Sequence, residues 1–154
     1  MSCCKIFTDK YEGVKKGCFE NKISSCSEAG KKLSFSIKGA NKAICKIDVR
    51  CLLKNVATQQ CDFAFRRCTQ NPEWHFVEMK GLKHDDAYNQ IKATIQHFKN
   101  ENLLKNEDSI YAYIVSKRVP KVDRSTKKLI KRFREEKLGN RLQKVNPGTQ
   151  VSIS

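Results

Sequence analysis

The run IYAYIVS at residues 110–116 is apolar, β-branched and aromatic without a break. A strand that alternates can leave one face to water, whereas a continuous run must be covered on both. Upstream stands a second hydrophobic strand, WHFVEMK at 74–80, which Gly81 stops. Between the two, Ala87, Ile91, Thr94, Ile95 and Phe98 form a 3.6-period stripe, which predicts a helix over residues 84–99 capped by Asp85 or Asp86. Strand, helix, strand at this spacing makes a crossover between parallel strands.

The earlier chain reads as shorter strands. In LSFSIKG at 33–39, Leu33, Phe35 and Ile37 alternate with polar residues, and Gly39-Ala40-Asn41 reads as a turn into ICKIDVRCLL at 44–53. The pair is expected to form a hairpin. CDFAF at 61–65 is a third strand, with Phe63 and Phe65 on the face opposite Asp62, and Asn71-Pro72 turns it towards WHFVEMK. A short helix is expected within residues 18–30. Ser125 can cap a last helix, STKKLIKRFREEKL, and the chain beyond Asn146 looks loose. These elements predict an α/β fold with a mixed central sheet of about four to five strands flanked by helices. One domain is expected over 1–146, with a basic helical part at about 117–145 and a flexible tail at 147–154.

Charge narrows the partners. The chain of 154 residues carries 31 Lys and Arg against 16 Asp and Glu, a net +15. That excess favours a polyanion, and nucleic acid is preferred to membrane lipid because neither a lipidation signal nor an amphipathic terminal helix is readable. From Lys117 to Lys144 twelve basic residues face three acidic ones. Among them Lys117, Arg118, Lys121, Arg124, Lys127, Lys128, Lys131 and Arg132 are the expected phosphate contacts. The eight cysteines lie in the first half, form no CxxC pair and match no zinc-finger spacing. With no apolar leader at the start, they are expected to be reduced thiols, and the protein cytoplasmic.

The sharpest chemical feature is Glu78-Met79-Lys80. E-x-K occurs three times, at Glu20, Glu78 and Glu135, but only the middle copy closes a strand and precedes a helix. Residues two apart on a strand share a face, so Glu78 and Lys80 project together. If 61–65 and 74–80 are antiparallel neighbours, Asp62 joins them. Two carboxylates at a sheet edge offer hard oxygen ligands suited to Mg2+, and a lysine can act on the attacking water. His75 falls on the opposite strand face from Glu78, and His84 lies near the strand end.

The arrangement CDFAF…WHFVEMKG, then a helix and IYAYIV, resembles the PD-(D/E)XK nuclease superfamily, whose core order is αβββαβ. The resemblance spans roughly residues 20–116. It implies that Asp62 and Glu78 ligate Mg2+ (or Mn2+), that the Met79 carbonyl adds an oxygen, and that Lys80 serves the water. It also implies a glutamate from the first helix, for which Glu20 and Glu28 both stand, and, as in exonuclease-like branches, a glutamine on the next helix, matched by Gln90. Cys61 replaces the family proline, and Thr94 stands where those branches carry tyrosine. The implied activity is metal-dependent phosphodiester hydrolysis, in DNA rather than RNA, with a homodimer possible by the same likeness. The alternative is an inactive nuclease-fold protein that binds nucleic acid through its basic surface.

Overall fold

The computed structural model describes residues 3–11, 15–37, 43–56, 59–79, 84–117 and 124–153. In chain order these hold α1 (Lys5–Lys10), a 3-10 turn (Lys16–Cys18), β1 (Phe19–Asn21), β2 (Ser25–Glu28), β3 (Lys31–Ile37), β4 (Ile44–Asp48) and α2 (Val49–Leu52). There follow β5 (Phe63–Arg67), β6 (Glu73–Glu78), α3 (His84–Asn100), β7 (Ser109–Val115), α4 (Arg124–Glu135), β8 (Arg141–Val145) and β9 (Gln150–Ile153). The fold is α/β. A mixed six-stranded sheet runs β1-β4-β5-β6-β7-β8, and a second sheet runs β2-β3-β9.

Strands β4, β5 and β6 form an antiparallel meander, and α3 then carries the chain over to β7, parallel to β6. The continuous run at 110–116 is covered on both sides, as its composition demands. Ile110, Ala112 and Ile114 enter the core beneath the helices, with Phe7 of α1, Ile91 and Ile95 of α3, and Leu129 and Phe133 of α4. Tyr113 and Val115 enter the core on the other side, with Leu33, Phe35 and Ile153 of the small sheet. The expected flanking by helices therefore holds on one face only. Trp74 is fully buried, and its indole N–H donates to Asp108 at 3.1 Å. Gly139 passes so close to β7 that an added Cβ would lie 2.8 Å from Ile110. That approach lets Asn140 clamp Ile110, donating its N–H to the Ile110 carbonyl and accepting the Ile110 N–H, each at 2.8 Å.

Several expectations from local pattern are corrected. Strand β3 does not pair with β4; it pairs with β2 and β9, and its Phe35 packs edge-on against Phe65 and Tyr113 of the large sheet. Alternation shows that a strand has an apolar face but does not say whether its neighbour lies beside it or beneath it. The expected strand 44–53 ends at Asp48, whose carboxylate accepts the Cys51 N–H at 3.1 Å and starts the helical turn α2. No helix forms within 18–30, which holds β1 and β2 instead. The supposedly loose segment beyond Asn146 contains β9, and the basic part at 117–145 contains β8 as well as α4. Asp85 and Asp86 lie inside the first turn of α3 rather than before it, where negative charge suits the helix dipole.

The cysteine expectation is also overturned. Six of the eight are paired, as Cys3–Cys68, Cys4–Cys45 and Cys18–Cys51, leaving Cys26 and Cys61 free and buried. The pairs staple the N-terminal 18 residues to β4, α2 and the end of β5, across sequence separations of 65, 41 and 33. Such bonds persist in oxidising surroundings and are rare in a reducing cytosol. Spacing alone could not reveal them, because each joins residues far apart in the chain.

Helices α3 and α4 meet at Glu136. Its carboxylate accepts from Tyr88 Oη, from Lys92 Nζ and from Arg132 Nε, the last at 2.7 Å, while the Arg132 guanidinium lies 4.6 Å from the Tyr88 ring centre. The hydrogen bonds from Lys92 and Tyr88 hold the Glu136 carboxyl at about 2, below its ordinary 4.5. A carboxyl depressed on folding adds stability that is complete above its unfolded pKa and fades as pH falls towards the folded one. Acid titration of unfolding should therefore show stability lost between about pH 4.5 and 2, and Glu136→Gln should flatten that limb. Opening Cys18–Cys51 by a double Cys→Ser substitution should cost about 2–4 kcal/mol in urea unfolding.

Candidate functional site

Asp62 and Glu78 come together where β5 begins and β6 ends. The β5–β6 ladder stops at Phe63 opposite Val77, and just before it the Asp62 N–H also donates to the Val77 carbonyl at 3.1 Å. Asp62 and Phe63 thus both face Val77, a bulge at the end of the ladder, and the Asp62 carboxyl reaches a hydrogen bond shared with Glu78. Both acids are buried, Asp62 at 2% and Glu78 at 0% exposure. They sit where β6 ends, with α3 tied to the adjoining Cys61 by Thr94.

A third acid arrives from the small sheet. Ala29 and Gly30 both have positive φ, 51° and 77°, and form the two-residue turn that joins β2 to β3. Positive φ at both central positions suits the twist of the flanking strands, and glycine adopts it without strain. The turn brings its flanking partners, Glu28 and Lys31, to the site. Of the two N-terminal glutamates held open by the resemblance, Glu28 is the one gathered here. It comes from a strand rather than the first helix. Glu20 pairs with Lys46 on β1, at the sheet's far edge.

Arg50 and one amide answer these acids, and Lys31 holds the Met79 carbonyl beside them. Asp62 Oδ2 accepts the Met79 N–H at 2.8 Å, and Asp62 Oδ1 lies 2.8 Å from Arg50 NH2. Arg50 also reaches Glu28 Oε1 at 3.4 Å, and Lys31 Nζ donates to the Met79 carbonyl at 3.3 Å. Burial pushes the Asp62 carboxyl up, but hydrogen bonds shared with Glu78, Met79 N–H and Glu28, together with the Arg50 charge, hold it below the usual range. Burial and the neighbouring Asp62 push Glu28 the other way, upwards. Acids set so close titrate as a group, one favoured as the anion and another as the acid. The free thiols flank them. Burial raises Cys26 to about 12 and raises Cys61 too, so both stay protonated.

Helix α3 locks the site in place. Thr94 Oγ1 accepts the Cys61 N–H at 2.9 Å and donates to the Gln90 carbonyl, one turn back, at 2.8 Å. The residue that departs from the exonuclease-like pattern is thus the one that ties α3 to the segment carrying Asp62. Gln90 is half-buried one turn before it. His84 Nε2 lies 3.4 Å from Ser116 Oγ at the end of β7. His75 is buried on the opposite face from Glu78, against Tyr111 and Tyr113.

Lys80, Arg118 and Lys121 lie outside the described residues, and Arg124 opens α4 without a described side chain. Lys117, Lys127, Lys128 and Lys131 are exposed, Lys131 within 3.7 Å of Glu135. Arg132 is held in the Glu136 cluster. Sequence reasoning missed Arg50 and Lys31. The signal for Lys31 was the Glu28-Ala29-Gly30-Lys31 turn; Arg50 carried none, because its helical turn was read as strand.

The donor set suits a hard cation in kind: carboxylate oxygens of Glu28, Asp62 and Glu78 with the Met79 carbonyl. Its arrangement is that of a site filled by the chain's own cations, since Arg50 and Lys31 stand against those oxygens. Among the described residues no group of three or more His, Cys, Asp or Glu side chains is arranged as a metal cage. Arg50 is 47% exposed and can swing outwards. No helix of the described residues is long and apolar enough to cross a membrane. Comparison with models of known protein families, with curated proteins and with solved structures finds no match.

Thr94→Val keeps the shape but leaves the buried Cys61 N–H without its acceptor. Unfolding by urea should show a loss of about 1–3 kcal/mol, and Thr94→Ser should recover most of it.

Proposed function

We propose that this chain is a metal-dependent nuclease of the PD-(D/E)XK kind that hydrolyses phosphodiester bonds, in DNA before RNA. The observation that carries the reading is the buried Asp62–Glu78 pair, which shares a hydrogen bond at the end of a strand that α3 follows. The order β4, β5, β6, α3, β7 supports it, since it is the βββαβ part of the core that the resemblance implies. In that reading Asp62, Glu78 and the Met79 carbonyl hold Mg2+ or Mn2+, with Glu28 beside them. The bound metal supplies charge to the scissile phosphate and acidity to a water.

The residues themselves do three things. Asp62 is kept as the anion by the Met79 N–H and by Arg50, so it presents negative charge at neutral pH. Once Arg50 swings away from Asp62, its guanidinium is available to a phosphate oxygen, a planar match that arginine makes well. Lys80 follows two residues after Glu78 and serves as the group that orients the water. The exposed Lys117, Lys127 and Lys128 supply phosphate contacts along the path. A homodimer, which would place two such sites on two strands, remains part of the proposal by likeness alone.

One observation favours a second reading. Arg50 already answers Asp62 and Glu28, and Lys31 holds the Met79 carbonyl, as expected of a fold that has given up its metal and binds nucleic acid by charge. The two readings part in one experiment. Cleavage of plasmid DNA with Mg2+ or Mn2+ should fall about 10²–10³-fold in Asp62→Ala, Glu78→Ala and Lys80→Ala. Calorimetric heat from Mn2+ should vanish in Glu78→Ala. Salt-sensitive DNA binding that is indifferent to metal and to these substitutions would select the second reading instead.

A further inference from the structure

A second basic feature lies at the other end of the strands. A cavity of about 360 Å³ opens where the C-terminal ends of α3 and α4 meet the start of β7. Lys99, Lys105, Arg134 and Lys137 line it, with the amides of Asn106 and Asn140 between them. Lys105, Arg134 and Lys137 are exposed and Lys99 is half-buried. None of the four makes a side-chain ion pair with another described residue. On the same helices Lys92 and Arg132 are answered by Glu136 and Lys131 by Glu135, while Lys127 and Lys128 are exposed.

The charge sum of the cavity is specific. The two helix C-termini contribute roughly half a negative charge each. Asp108 supplies another, but it is already occupied, accepting from Trp74 Nε1 at 3.1 Å and from the Lys105 N–H at 3.0 Å. Four cations less these leave an excess of about two positive charges. The floor is fixed, because Asn140 is clamped to Ile110 by the paired hydrogen bonds at 2.8 Å that Gly139 permits. A concave site with convergent donors, an excess near two and a rigid floor fits a compact dianion, not the flat run of single charges along a duplex.

We propose that this cavity is a binding site for a terminal phosphate dianion, as in a phosphomonoester or a polyphosphate. It is separate from the acid cluster. Ile110 pairs with Trp74 at the start of β6, whereas Glu78 pairs with Ile114, four residues and about 13 Å further along the strand. The ligand can be the 5′-phosphorylated end of a nucleic acid or a free phosphorylated small molecule.

Binding measured in EDTA keeps the test independent of any metal, so failure of the nuclease reading leaves it intact. The probes are pyrophosphate, a 5′-phosphorylated oligothymidylate and the same oligomer with a 5′-hydroxyl. Lys105→Gln combined with Arg134→Gln should weaken pyrophosphate binding about tenfold or more. Lys32→Gln with Lys54→Gln removes the same charge from exposed positions elsewhere and should change it less than about twofold. Thermal unfolding without ligand, unchanged in both, shows that the fold is intact. Preference for the phosphorylated oligomer identifies a nucleic-acid end as the source, and pyrophosphate binding without that preference identifies a small molecule. Absence of pyrophosphate binding by the wild type, or equal losses in the two double variants, overturns the proposal.

Discussion

Strand β6 is the constraint on which the rest depends. It is hydrogen-bonded on both sides, antiparallel to β5 and parallel to β7, and buried on both faces. A strand in that position must have a fixed register, since a slip of one residue would send Trp74 and Phe76 into the small-sheet layer and His75 and Val77 under the helices. The same strand carries Glu78 at its end, where Asp62, just before β5, is tied to it by the Val77 carbonyl and the Met79 N–H. Packing and the position of the two acids therefore meet at the end of one strand.

Keeping two carboxyls buried beside each other is costly unless hydrogen bonds and opposite charge offset it. This chain uses a backbone amide, Met79, and a long cation from another element, Arg50. Arg50 is 47% exposed, so the charge that steadies the cluster comes from a side chain at the surface. A permanent buried ion pair and a ligand site waiting for a stronger cation share this starting geometry. They differ in how readily Arg50 withdraws.

The N-terminal segment shows a different economy. Helix α1 has six residues, too few to be stable by itself, and its Phe7 reaches the core by stacking on Phe19 and meeting Trp74 edge-on. Two of the three disulfides fix the start of this helix to β4 and to the end of β5. The third fixes the 3-10 turn to α2, close to Arg50. Covalent staples thus stand in for length, and one of them bears on the helical turn that carries a cation to the acids.

What could be read from the chain was what repeats locally. The continuous run of β7, the stripe of α3 and the alternation of β5 and β6 each impose a period that burial must respect, and all four stand close to where those periods placed them. That Asp62 and Glu78 lie near each other followed from expecting 61–65 and 74–80 to be antiparallel neighbours, which β5 and β6 are. Partnership was not legible. That β3 lies over the large sheet instead of beside β4, that Cys18 meets Cys51, and that Glu28 rather than Glu20 joins the acids are choices between distant segments with similar local patterns. Nor could Arg50 or the cavity at Asn140 be foreseen, since each exists only where separate elements converge. Side-chain period is a property of neighbouring residues, whereas the pairing of surfaces is decided by the free energy of the whole packed chain.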